Sequence, residues 1–250
     1  MLKITADLLK QYQANEKDIE VFNKLFPDGG DSLTVLDKFK TSNVNFAYWM
    51  VDNLPANEKY LVIDSEDVPR TIFYNGDILI NFDVSSVILY SIYCSGKLIF
   101  TQDAILKNIH INAADIYTKN LLLINKCCIQ SNRLLVSKFL EISDGVINVS
   151  SLDVRYDLTL EGQSCVNSSN EISCHALHMN DCSLLMGGLL NAYRVTMREQ
   201  SKIVNSMTLV KTQIKLNHEA FITSKVNAST VFLDADSNVF NELNATVEQC

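Results

Sequence analysis

Residues 132–149 read NRLLVS, KFLEIS, DGVINV: three consecutive blocks of six in which apolar and polar side chains take turns. Alternation with period two marks extended backbone, whose successive side chains point to opposite faces. The same block recurs as KNIHIN at 107–112. Cutting the chain outward from here at recurring Gly, Asn and Ser gives segments starting at Gly76, Val87, Lys97, Asn108, Asn120, Asn132, Gly145, Leu158, Asn170, Ser183, Gln200, Gln213, Lys225 and Asn238. Their spacing is mostly 10 to 13 residues, and many divide again into blocks of about six. An inexact internal repeat of short strands favours a solenoid over a sandwich.

The turn residues agree. No Asn-Gly pair follows Gly76, whereas single Asn residues recur where a coil would bend. Asn tolerates the left-handed backbone of a sharp bend, and stacked amides can bond along successive coils. The sequence therefore predicts a right-handed parallel β-helix from about Asn75 onward, mainly β in class, with three faces per turn. The competing architecture is a jelly roll or sandwich, with antiparallel sheets and tighter, glycine-rich turns.

All three prolines, Pro27, Pro55 and Pro69, precede this region. Proline removes a ladder donor, so its absence afterwards suits continuous strands and marks a boundary. Before the boundary the period is helical. Leu8, Leu9 and Tyr12 share one face, and Ile19, Phe22, Leu25 and Phe26 another. Asn15 caps the second helix, with Asp18 three residues on, and Pro27-Asp28-Gly29-Gly30 stops it. A third helix starts at Asp31 or Ser32 with Leu33, Leu36 and Phe39; a fourth carries Phe46, Trp49 and Met50 up to Leu54-Pro55. The division is a helical module at 1–58, connecting strands at 59–75 and a β-helix at 76–250, with the helices capping its first coil.

In order, VFNKLFPDGG, FAYWMVDNLP and YLVID resemble a helical module of bacterial and phage-derived proteins of unknown function, through Phe22, Phe26, Pro27, Gly29, Trp49, Leu54, Pro55 and Asp64. There the module precedes bactofilin-like, polymer-forming β-helix repeats. The resemblance spans roughly residues 5 to 65 and implies the fold; it carries no catalytic residue. After Gly76 this chain departs from it, with large, Asn-bearing repeats in place of small, glycine-bearing ones.

A net charge of −8, from 21 Lys plus Arg against 29 Asp plus Glu, leaves no concentrated positive patch, so nucleic acid and anionic membrane are not expected partners. No stretch reaches the ~20 apolar residues of a membrane span, and MLKITADLLKQYQ has no signal-like apolar region; a cytoplasmic location follows, with non-classical export to a host as the alternative. Seven cysteines without metal-type spacing read as reduced and packed. The nearest approach to a metal set is Cys174, His175, His178 and Cys182, but the odd separation of the two histidines places them on opposite faces of a strand, so no metal or cofactor is expected.

Asp153, Arg155 and Asp157 in DVRYD share one strand face, a weak alternative catalytic group for a polysaccharide lyase or hydrolase set against a solvated, ion-paired face. Tyr193, Arg194 and Arg198, with Glu199, occupy a longer segment that reads as an insertion bearing a binding surface. Gly187-Gly188 lacks the Lys-Ser or Lys-Thr of a phosphate loop. Residues Val239, Phe240 and Leu243 continue the alternation with no helix after them, and predict a two-fold homodimer through the C-terminal coil. The leading functional expectation is a non-enzymatic scaffold that binds a protein partner or itself. The alternatives are a carbohydrate-active β-helix enzyme and a bacterial effector acting on host components.

Overall fold

Ile111, Ile129 and Ile147 lie side by side in register, each 18 residues after the last. Extended upward and downward, the column runs from Ile72 and Ile92 through Val166, Leu185, Ile203 and Ile222 to Val239. A computed structural model, which describes residues 1–240 and 242–249 with the side chains of 86, 240 and 249 excepted, shows the column as the inward ridge of one face of a parallel β-solenoid of about 10 turns. All pairings of the main sheet are parallel, which rules out the sandwich.

A second face stacks Leu61, Ile78, Leu98, Ile116, Leu134, Leu152, Ile172, Leu190, Thr208, Val226 and Leu243. Its one polar member, the fully buried Thr208, is satisfied by Asn205 Oδ1 at 3.0 Å and Ser224 Oγ at 2.9 Å. A third face stacks Ala104, Leu121, Leu140, Leu158, Leu177, Val195, Ile214 and Val231. Branched side chains layered this way remove apolar surface from water on every coil, at roughly 25 cal/mol per Å².

The unit of the repeat is thus the six-residue block, three per coil. The 10-to-13-residue spacing is corrected: it joins two blocks, because the cuts fall at polar corners and each coil has three corners of unequal sharpness. The sharpest returns the chain from the third face to the first of the next coil. Asn108, Asn125, Asp144, Asp181, Glu199 and His218 all have positive φ there, so Asn is one of several residues used. Asp carboxylates tie these corners together: Asp144 accepts from Gln163 N–H at 2.8 Å, and Asp181 from Gly162 N–H at 3.0 Å. Asn stacking is seen where Asn244 Nδ2 donates to Asn227 at 3.3 Å.

Four helices precede the coils: α1 (Ala6–Gln11), α2 (Glu16–Leu25), α3 (Ser32–Ser42) and α4 (Val44–Asn53). Asn15 caps α2 through Lys17 N–H and Asp31 caps α3 through Thr34 N–H. Asp18 closes no capping box; its carboxylate accepts from Asn43 Nδ2 at 2.8 Å and joins α2 to the α3–α4 turn. Leu9, Phe22, Phe39, Phe46 and Met50 form the helical core, while Tyr12 and Leu25, expected on buried faces, are exposed. Trp49 is half-buried and stacks on Phe46 at 5.8 Å.

The module is fastened to the first coils by two devices. Phe73, on the outer side of the strand Thr71–Tyr74, packs in the helical core beside Tyr48 and Tyr93, and Tyr93 O–H donates to Asp52. Burial, and then that hydrogen bond, raise the Tyr93 phenol above its ordinary value. In addition, the buried Asn57 amide donates to Ser32 Oγ at 3.0 Å and to Asn75 O at 2.8 Å, and accepts from Leu2 N–H.

Candidate functional site

DVRYD does not run straight. Its chain turns a corner at Arg155 and Tyr156, and the register slips between Val154 and Asp157. Asp153 therefore stays on the outside of the second face while Asp157 lies on the third; the expected common face is corrected, because a corner resets the alternation that a flat strand would keep. Asp153 accepts from Ser173 Oγ at 3.1 Å. Arg155 packs over the Tyr156 ring at 5.7 Å, and no described ion pair joins it to either aspartate.

Tyr193 and Arg194 lie at that same corner two coils further on, in an ordinary coil and not in an insertion. Pairing of Cys174 with Ala192 and of Ala176 with Arg194 sets Tyr193 opposite His175, and the two rings stack at 4.8 Å and 10°. One coil later Thr212 Oγ1 donates to Tyr193 O at 2.7 Å, which aligns Lys211 with the ridge, and Ser229 Oγ in turn donates to Lys211 O.

The result is a groove. Asp153, Ser173, Asn191, Leu209 and Asn227 stack as its floor, and Arg155, His175, Tyr193, Lys211 and Ser229 form its bank. It consists of two adjoining hollows of about 360 Å³ each that share Asn191 and Lys211. Asp153, Arg155 and Tyr193 thus come together. Lys211, Ser173 and Asn191 escaped sequence reading, and His175 was singled out there only within a metal set; an 18-residue coil period would have joined them, since 175, 193 and 211 differ by 18. Because the His175 and Tyr193 rings face one another, the groove offers ring edges, an amide, hydroxyls and two cations, a set suited to holding a ligand.

Arg198 stands apart, at the sharp corner, where its N–H donates to Met179 O. It and Arg194 lie near His178 on the third face. Burial first, and then these two guanidiniums, lower the His178 imidazole below its ordinary value, while Asp157 works against them. His178 and His175 both face outward, contrary to the odd-spacing argument, since Ala176 and Leu177 are both buried across the corner between them. Burial pushes the Cys174 thiol up to about 12, so the free thiol stays protonated near neutrality. Among the described residues no group of three His, Cys, Asp or Glu is placed to hold a metal ion, all six described cysteines are free, and Cys250 lies outside them.

Val239 and Leu243 are half-buried and pack against the solenoid core; the Phe240 side chain lies outside the described residues. No described helix is long and apolar enough to cross a membrane. Comparison with protein-family models, curated protein sequences and solved structures returns no match, so the resemblance of the helical module rests on the order of its sequence elements.

Proposed function

We propose that this chain is a non-enzymatic interaction scaffold, a rod whose outward columns present fixed rows of side chains to other proteins. The observation that carries this reading is the groove beside Arg155, His175, Tyr193 and Lys211. Five successive coils place its floor residues, Asp153 to Asn227, at a repeat of roughly 4.8 Å set by strand hydrogen bonding, and the bank residues follow them at the adjoining corner. A surface held by backbone ladders has little conformational entropy to lose when a partner seats on it. The polysaccharide-cleaving alternative is weakened because its two carboxylates, Asp153 and Asp157, lie on different faces, where an acid and a base must flank one bond. Free cysteines suit a reducing, cytoplasmic setting.

Incubation with a panel of acidic and neutral polysaccharides should yield no new chain ends. Depolymerisation that disappears in Asp153→Asn or Asp157→Asn would contradict the scaffold reading. Self-association through the last coil belongs to the same proposal: Val247, an inward-column residue stacked on Val231, is 47% exposed. Light scattering over a concentration series should show a dimer that Val247→Lys dissociates, and a strictly monomeric chain would remove that element.

A further inference from the structure

The helical module lies over the start of the first face. α3 and α4 lie over Thr71–Tyr74, and Lys40 Nζ donates to Thr71 O at 3.4 Å. The strand beside it, Leu61–Ile63, opens the second face and pairs on one side only among the described strands, with Ile78–Ile80. Leu61 N–H donates to Asp77 O at 2.9 Å, and Ile63 O accepts from Asn81 N–H at 2.8 Å. In a parallel ladder alternate residues serve the same neighbour, so the N–H and C=O of Val62 point to the other, open side.

Beyond that edge is a cleft of about 480 Å³ between α3 and the 64–69 loop, a volume in the range of ligand sites. Leu33, Ile63, Val68 and Ile72 give it apolar walls. Its rim is acidic. Lys40, only 16% exposed at its side chain, is already engaged by Asp37, and no described cation pairs with Asp64 or Asp67. An unpaired edge, an apolar hollow next to it and uncompensated carboxylates around it define one kind of occupant.

We propose that this edge docks an extended basic segment of a partner protein, which adds a strand to the second face. Backbone groups of the segment pair with Val62, an apolar side chain enters the cleft beside Leu33 and Ile72, and a Lys or Arg meets Asp64 or Asp67. The inference rests on the scaffold reading only in taking the partner to be a protein; its failure would leave that reading in place, and cleavage of a polysaccharide would not by itself remove the docking edge.

The probe is a blocked, fluorescent decapeptide of alternating Lys and Val, titrated against the full chain. It should bind saturably, while the matching Glu–Val peptide should not. Val62→Pro removes the outward N–H at a position where an edge strand tolerates proline, and should weaken binding about tenfold with an unchanged melting temperature. Methylating alternate peptide nitrogens should do the same to the unaltered protein, which guards against a variant that fails to fold. Asp64→Asn with Asp67→Asn should weaken binding and flatten its salt dependence. Three results would overturn the proposal: no saturable binding of the Lys–Val peptide, binding indifferent to both Val62→Pro and N-methylation, or a dimer of the free chain that Val62→Pro dissociates, which would assign the edge to a second copy.

Discussion

The coils from 146 to 233 and the first coils below 107 are built from the same six-residue blocks but held by different means. In the later coils single strands of 13 to 16 residues, such as Val146–Glu161 and Phe221–Leu233, run through all three faces. Near the helical module the strands are three or four residues long, and where the third face would lie a 3-10 turn at Val84–Ser86 buries Val84 with Leu89. There the fold depends on single contacts: the Asn57 amide, the Tyr93–Asp52 bond, Phe73 inserted among helices. Regular coils distribute their stability over columns, whereas the junction concentrates it in a few polar atoms. A lesion in a column should therefore be felt by the whole rod, and one at the junction mainly by the helices.

The largest effect should come from Gly187→Ala. Gly187 has φ +144, and an added Cβ would land on Ser168 O of the preceding coil, where the register slips between Ser168 and Glu171. Strain and clash together should cost about 4 kcal/mol or more in denaturant unfolding. This also explains Gly187-Gly188, whose second member would drive a Cβ onto Asn170 O. Next comes Ile129→Ala, in the middle of the first-face column, at about 3 kcal/mol through the cavity it leaves, lowering the transition of the rod as one unit. Val204→Ala, on the outward side of the same face, should change it by under about 0.5 kcal/mol.

Asn57→Ala should cost about 2 kcal/mol by orphaning buried partners around Ser32 and Leu2, with a loss localised to the Trp49 fluorescence of the helical module. Uniform loss through the coils would mean that the junction and the columns are held together as one unit. Asp31→Ala should cost less, about 1 kcal/mol for a lost helix cap at neutral pH. Hydrogen bonds from the Thr34 hydroxyl and N–H hold the Asp31 carboxyl below its ordinary value despite some burial. A depressed carboxyl stabilises the fold above its unfolded pKa, and that stability is lost as pH falls through the folded one. The gap between the parent and Asp31→Ala should accordingly close on acidification.

What could be read from the sequence follows the same divide. Period-two blocks and the absence of proline after Pro69 are local signals, and they sufficed for parallel coils. The coil length was hidden because corners vary: Arg155 and Tyr156 fill one, His175 alone the next, and Lys211 with Thr212 the same corner two coils on, while the first-face interval drifts from 20 residues at Ile72–Ile92 to 17 at Ile222–Val239. That drift scattered the groove, since His175 and Lys211 gain meaning only once the coils are stacked. It also disguised DVRYD as one flat strand. Asn57 offered no signal at all: a lone amide after a proline reads as a loop residue, and its worth lies in partners 25 and 55 positions away.

The most direct test of the account, a closed rod whose partner edge lies at its irregular end, is amide hydrogen exchange resolved to single residues on the isolated full chain. Exchange should be slow and uniform from 146 to 233 and should alternate at the first edge, with Leu61 and Ile63 protected and Val62 exchanging fast. Protection of Val62 equal to that of its neighbours would mean the edge is already paired in the free protein and would contradict the account.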